Sequence, residues 1–176
     1  MTSQIITIPE IRTDRLILRA PRLDDAEPYM AIMMSDRAVH MGGPFSHEMA
    51  WFDFCAETVS WQLRGYGPFS MVEKATGRFV GMSILHHAAC DPEPELGWMV
   101  TTDGESQGYA FEAAIATRDY VFDTLGWDSI VSYIAPGNNR SVGLAKRLGA
   151  QSDPDAVRPD ECPECLVYRH HRKARA

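Results

Sequence analysis

The chain has 176 residues, 45% of them apolar, and its 24 acidic against 17 basic side chains leave a formal charge of -7, which suits one globular domain (residues 1–176, core about 13–171). That balance argues against nucleic acid as the main partner, because neutralising a phosphate backbone takes clustered cations. No apolar run approaches the ~20 residues needed to cross a bilayer, and Met1-Thr2-Ser3-Gln4 lacks the basic start of a secretory signal, so a cytoplasmic protein with no membrane role is expected.

Residues 15–19 read as a short strand. Asp24-Asp25-Ala26-Glu27 follows, an acidic helix start with the helix running to about Met34. Ser46 caps a second predicted helix, whose apolar positions Trp51, Phe54, Cys55, Thr58 and Trp61 keep a spacing of three and four up to Gly65, so one face should be buried. Residues 69–73 and 79–85 are strand-like, separated by the glycine-containing hairpin loop Lys74-Ala75-Thr76-Gly77-Arg78. A further strand covers 95–100. A helix from about Gln107 to Leu125 carries a narrow inner stripe of Ala110, Ala113, Ala114, Thr117 and Val121, small enough to lie close to a sheet.

Residues 129–134 form a strand, 141–148 a helix stopped by Gly149, and 166–169 a last strand, with 153–164 an acidic, Pro-rich loop. Strands on both sides of the long helix make a crossover, so at least one pair is expected to be parallel. The four cysteines, Cys55, Cys90, Cys162 and Cys165, are too few and too unevenly placed for a disulfide framework, and reduced thiols are the default. Cys162 and Cys165, with His170 and His171, are the right residue types for zinc, but a loop with incidental thiols is the better reading and no metal is expected.

Two helix starts stand out. Gln107-Gly108-Tyr109-Ala110 and Pro136-Gly137-Asn138-Asn139-Arg140-Ser141 each put small or polar residues where unpaired amides and the helix dipole attract anions. A P-loop would need Gly-Lys-Ser or Gly-Lys-Thr at the helix start and a dinucleotide fold three spaced glycines; Gly104-Glu105-Ser106-Gln107-Gly108 supplies neither. Asn138 reads as a helix cap with Ser141 in the first turn.

Together with Thr13-Asp14-Arg15-Leu16-Ile17-Leu18-Arg19, Glu95-Leu96-Gly97-Trp98 and Lys146-Arg147-Leu148-Gly149-Ala150, these segments resemble the GNAT N-acetyltransferase superfamily, closest to the branch of the ribosomal-protein alanine N-acetyltransferases. The resemblance runs from about Thr13 to His171. It implies an α/β (α+β) fold with a mixed, splayed sheet flanked by helices, acetyl-CoA as cosubstrate, and its pyrophosphate on the amides of Gln107, Gly108, Tyr109 and Ala110. It also implies backbone pairing of the pantetheine arm around Met99, Val100 and Thr101. The branch usually has a glycine where Ser106 stands, which limits φ there and could alter the pyrophosphate pose.

The resemblance further implies that Asn138 orients the pantetheine or acyl end and that Ser141 helps to protonate the departing thiolate, with Tyr133 and Tyr109 as fallbacks. Arg140 is either a partner of the 3′-phosphate or a solvated side chain. Glu95 is either a solvated strand-end carboxylate or the acceptor of the amine proton, directly or through a water. His40, His47, His86 and His87 are other possible bases that no spacing singles out. The expected acceptor is a primary amine, a protein N-terminus or a small amine, served by a monomer or homodimer. The competing expectation is a non-catalytic acyl-CoA-binding module.

Overall fold

The computed structural model describes residues 6–172. Strands β1 (Ile11–Arg12) and β2 (Leu16–Arg19) precede helices α1 (Ala26–Met33) and α2 (His47–Arg64); β3 (Phe69–Glu73), β4 (Phe79–His86) and β5 (Glu95–Val100) follow. Helix α3 (Tyr109–Asp123), β6 (Ser129–Ile134), α4 (Asn139–Arg147), β7 (Gln151–Ser152) and β8 (Leu166–His171) complete the chain. One mixed sheet takes the strands in the order β1-β2-β3-β4-β5-β6-β8-β7. This is the expected helix-flanked α/β architecture.

Local chemistry accounts for most boundaries. Ser46 Oγ accepts the Met49 N–H at 3.2 Å to start α2, and Gly65 ends it in the left-handed region, where a glycine carries no Cβ penalty. The buried face of α2 is narrower than its apolar spacing predicts: Phe54 and Trp61 are buried, whereas Trp51 is 38% exposed and Cys55 and Thr58 are half-buried. Helix α3 starts at Tyr109, two residues later than expected, because Ser106 and Gly108 both take positive φ and interrupt the helical path.

Helix α3 packs by its small residues. Ala113, Ala114, Thr117 and Val121 are fully buried, and Ser83 Oγ donates to Thr117 Oγ1 at 2.8 Å, so the one polar pair under the helix is satisfied. The larger core lies here, with Leu16, Leu18, Phe69, Met71, Leu85, Leu96 and Ile130 packed beside α3 residues. A second core joins α1 and α2 to Met82 and Met99. Each such side chain, fully buried, contributes roughly 1.5–3 kcal/mol.

The start of α1 is anchored by a buried charge. Arg19 donates to both Asp25 oxygens at 2.6 and 2.8 Å, and Ser70 Oγ and the Arg22 N–H donate to Asp25 Oδ2 at 2.7 and 2.8 Å. Burial pushes the Asp25 carboxyl up, but these donors outweigh it and hold it below its ordinary value. The cluster ties β2, β3 and α1 together.

Between β5 and β6 the ladder is parallel, as the crossover requires, and has a single partnered pair, Glu95 with Val131. Below that pair the strands are pinned: the Val131 N–H donates to Pro94 O at 3.3 Å, and Arg169 of β8 grips both Glu93 oxygens at 2.6 and 2.7 Å. Above it no further ladder pair forms, and side-chain bonds span the strands, Ser132 Oγ donating to Leu96 O at 2.6 Å and Glu95 Oε1 accepting the Tyr133 N–H at 3.3 Å. The strands therefore part toward their C-terminal ends. Gly81 bears on the same region from β4. A Cβ on it would lie 2.1 Å from Met99 O, so only glycine lets β4 approach β5 so closely there.

The loop 153–164 brings one correction. Cys162 and Cys165 are joined in a disulfide, against the expectation of reduced thiols. The turn closed by the Cys165 N–H to Cys162 O bond, 3.1 Å, sets their Cα atoms 5.3 Å apart, within bridging range. Cys55 and Cys90 are free.

Candidate active site

Three loops meet where β5 and β6 part. The first is the turn before α3. The Glu112 N–H closes the first turn of the helix on Gly108 O at 3.1 Å, and the amides of residues 106–111 meet no acceptor among the described residues. Ser106 holds φ 59 and Gly108 φ 81, both in the left-handed region. Successive amides in such a turn form a concave anion cradle.

The turn is held from below. Arg15 donates to Gln107 O at 2.8 Å and pairs with Glu112 at 2.8 Å, while Thr13 Oγ1 donates to the same carboxylate at 2.5 Å. Tyr109, one of the fallback acids, points into this support: its hydroxyl donates to Glu73 and the Arg15 guanidinium lies 4.8 Å over its ring. It does not face the gap between β5 and β6.

The second loop opens α4. Asn138 Oδ1 accepts the Ser141 N–H at 3.2 Å, the cap expected from the sequence, which leaves the Asn138 amide group as a donor. Ser141 sits half-buried in the first turn, and its hydroxyl has no partner among the described residues. The third loop, the short turn at 36–40, had no signal in the sequence. Arg37 donates to Val100 O at 2.8 Å and pairs with Glu105 at 2.5 Å, and Glu105 also pairs with Arg140 at 3.0 Å. Arg37, Glu105 and Arg140 thus link all three loops. Arg140 remains largely exposed at 72%.

Along β5 the main chain alternates between β4 and the gap. The Thr101 N–H donates to Val80 O at 2.9 Å, so Thr101 and Met99 direct their backbone groups to β4, whereas Trp98 and Val100 direct theirs to β6. Of the three expected backbone positions, Val100 is the one whose amide borders the opening. The Trp98 backbone borders it too.

Side chains alternate as well, and Glu95 lies on the face of β5 that Met99 shares with α1 and α2. Its Oε1 accepts the Tyr133 N–H at 3.3 Å. Removal from water pushes the Glu95 carboxyl up to about 7, with His86 working in the opposite direction. Glu95 itself is half-buried. Tyr133 is raised to about 12 by burial and by Glu93, Glu95 and Asp91, and its buried hydroxyl has no partner among the described residues.

His86 is the one candidate histidine drawn into this group. Its Nδ1 lies 2.6 Å from Glu57 Oε1 and its Nε2 3.3 Å from Asp91 Oδ2. His40 approaches Gly137, and His87 contacts Tyr66 at 3.1 Å and Arg64 at 3.4 Å. Arg147 lies 4.5 Å over the Phe111 ring. Among the described residues, no group of three or more His, Cys, Asp or Glu side chains is gathered to hold a metal, and no helix is long and apolar enough to cross a membrane.

A mixed sheet that parts beside an amide-lined turn offers a cleft between two strands with room for a long, anion-bearing ligand. Residues 15–151 match the family described as an acetyltransferase (GNAT) domain, and the chain belongs to that family. YkkB of Bacillus subtilis (strain 168) is 32% identical over 100 residues, covering 53% of this chain and 58% of that relative. The aligned stretch thus spans little more than half of that curated protein. An acetyltransferase from Agrobacterium tumefaciens str. C58 superposes with a TM-score of 0.89 at 38% identity, over 98% of this chain and 99% of its own.

More distant structures share the fold. RimL, a ribosomal L7/L12 α-N-protein acetyltransferase solved with coenzyme A, has a TM-score of 0.72 at 15% identity, over 93% of this chain and 98% of its own. The ribosomal-protein-S5-alanine acetyltransferase from Vibrio fischeri has 0.67 at 16%, over 93% and 96%. The expected branch is therefore among the neighbours.

Proposed function

We propose that this protein moves an acetyl group from acetyl-CoA to a primary amine by direct attack while both substrates are bound. The observation that carries this reading is the opening between β5 and β6 with, at its wide end, the amides of residues 106–111, which meet no acceptor among the described residues. Those amides suit the pyrophosphate, and the Trp98 and Val100 backbone groups suit the amide-bearing pantetheine arm. Arg140 can turn from Glu105 to a phosphate, being exposed and singly tethered.

Glu95 is the proposed proton acceptor for the amine. It sits on the opposite side of β5 from α3, so that amine and thioester would meet at the strand from two sides. Asn138 is proposed to orient the acyl end through its free amide group. Ser141 is proposed to protonate the thiolate, a modest demand because a thiol titrates near ~8.5 and leaves readily. Tyr133, kept protonated and with an unpaired hydroxyl, is the competing donor.

The acceptor is proposed to be an amine whose neutral form is accessible near neutral pH. An α-amino group at about 7.7–8.0 meets that far better than a lysine at about 10.4, and RimL is named as acting on a protein α-amine. Release of free thiol from acetyl-CoA, measured over N-terminal peptides and small amines, tests the reading. Amine-dependent release supports it. Stabilisation by acetyl-CoA with no release on any acceptor would favour the non-catalytic alternative.

A further inference from the structure

His86 stands in an arrangement that packing alone does not require. It is the cross-strand partner of Glu95 in the β4–β5 ladder, so the two side chains leave the sheet on the same face with Cβ atoms about 4.5–5.5 Å apart. Each ring nitrogen faces a carboxylate oxygen, Glu57 at 2.6 Å and Asp91 at 3.3 Å. With Nδ1 bonded to Glu57, a neutral imidazole would turn its Nε2 lone pair toward Asp91 Oδ2, which also accepts the Ala88 N–H at 2.5 Å, so the doubly protonated ring suits the site best. The second Glu57 oxygen is buried with no partner, and among the described residues His86 is the one cation paired with that carboxylate.

Around Glu95 the other charges are of its own sign. Glu57 reaches it from α2 and Asp91 from the loop before β5, both raising its pKa; β6 offers the Tyr133 amide and phenol. Asp53 of α2, bonded by the Tyr29 hydroxyl, faces Glu57 and His86. Without a cation in this group, Glu95 would keep its proton at neutral pH and could not take one from an amine.

We propose that His86, clamped as a cation between Glu57 and Asp91, is the positioning residue that keeps the Glu95 carboxylate ionised on the amine side of the sheet. The clamp fixes where the positive charge sits, and the cross-strand pairing fixes its distance from Glu95. Its raised proton affinity, to about 9 with the Glu57 bond as the largest cause and Asp91 and Glu95 adding to it, agrees with the geometry. The inference rests on the reading of Glu95 as the base.

The test uses the full-length protein with carboxyl-labelled glutamate and labelled histidine, followed by NMR, together with the pH profile of kcat/KM for thiol release. In the wild type both His86 ring nitrogens should be protonated at pH 7.5; a neutral ring there overturns the proposal without any variant. His86→Gln should raise the Glu95 titration by about one pH unit and move the acidic limb of kcat/KM with it, whereas His86→Lys, which restores a cation at this partly exposed position, should bring both back. A Glu95 titration unchanged in His86→Gln, or displaced equally in His86→Lys, overturns it. If Glu95 follows His86 in the spectra while the kcat/KM limb does not move, the charge pairing stands and the assignment of Glu95 as base falls.

Discussion

Ser106 holds a left-handed φ of 59 that costs a non-glycine residue about 1–2 kcal/mol. Ser106→Gly should remove that strain against a smaller loss of chain entropy, raising stability by about 0.5–1 kcal/mol in urea unfolding while leaving coenzyme A affinity intact; a lower midpoint would mean that the serine side chain has its own role. Glu95 makes a second residue-scale expectation. Because the proposed base must be deprotonated to act, kcat/KM should rise with pH through about 7, and Glu95→Gln should abolish that limb and slow turnover at least about a hundredfold. Ser141→Ala should slow turnover about tenfold, since thiolate departure needs little help; an unchanged rate with a large loss in Tyr133→Phe would move the donor role to Tyr133. Gly108, Asn138 and Glu95 were legible because a glycine before a helix, a capping Asn and a strand-end carboxylate are local patterns. Arg37 and Glu105 were not: they pair with each other across 68 positions of chain, and no spacing announces such a contact.

The elements were legible where periodicity or a cap marks them. Helix α2 from Ser46 to Gly65 and the strands of the meander needed only local signals, while β1 and β7, two residues each, are too short for alternation to register. The closest tie between α1 and the sheet is the buried Arg19–Asp25–Ser70 group. Asp25→Ala leaves the Arg19 guanidinium buried without its partner, which should cost about 3–5 kcal/mol and show as a large fall in Tm. The tie of α2 to β4 through Glu57 and His86 behaves differently with pH. A histidine raised from 6.5 to about 9 in the folded protein stabilises fully below 6.5 and loses that contribution as pH climbs through 9. Tm should therefore drop between pH 7 and 9.5, and His86→Gln should flatten that drop.

At the scale of the whole molecule, the sheet is pinned at one end and open at the other, and the proposed ternary complex rests on that asymmetry. Arg169, Glu93 and the Glu95–Val131 pair hold β5 and β6 together below, and Arg37, Glu105 and Arg140 link the loops above. The meander and the crossover with its parallel pair were readable from the chain; the full order of strands was not, nor the alternation that turns Val100 rather than Met99 toward the gap, since it depends on which ladder partner β4 supplies. The most direct test is a titration of the isotope-labelled protein with coenzyme A, observed through backbone amide shifts. The largest changes should fall on residues 106–111 together with Trp98 and Val100. Shifts confined to other surfaces, with these amides unmoved at saturation, would contradict the account.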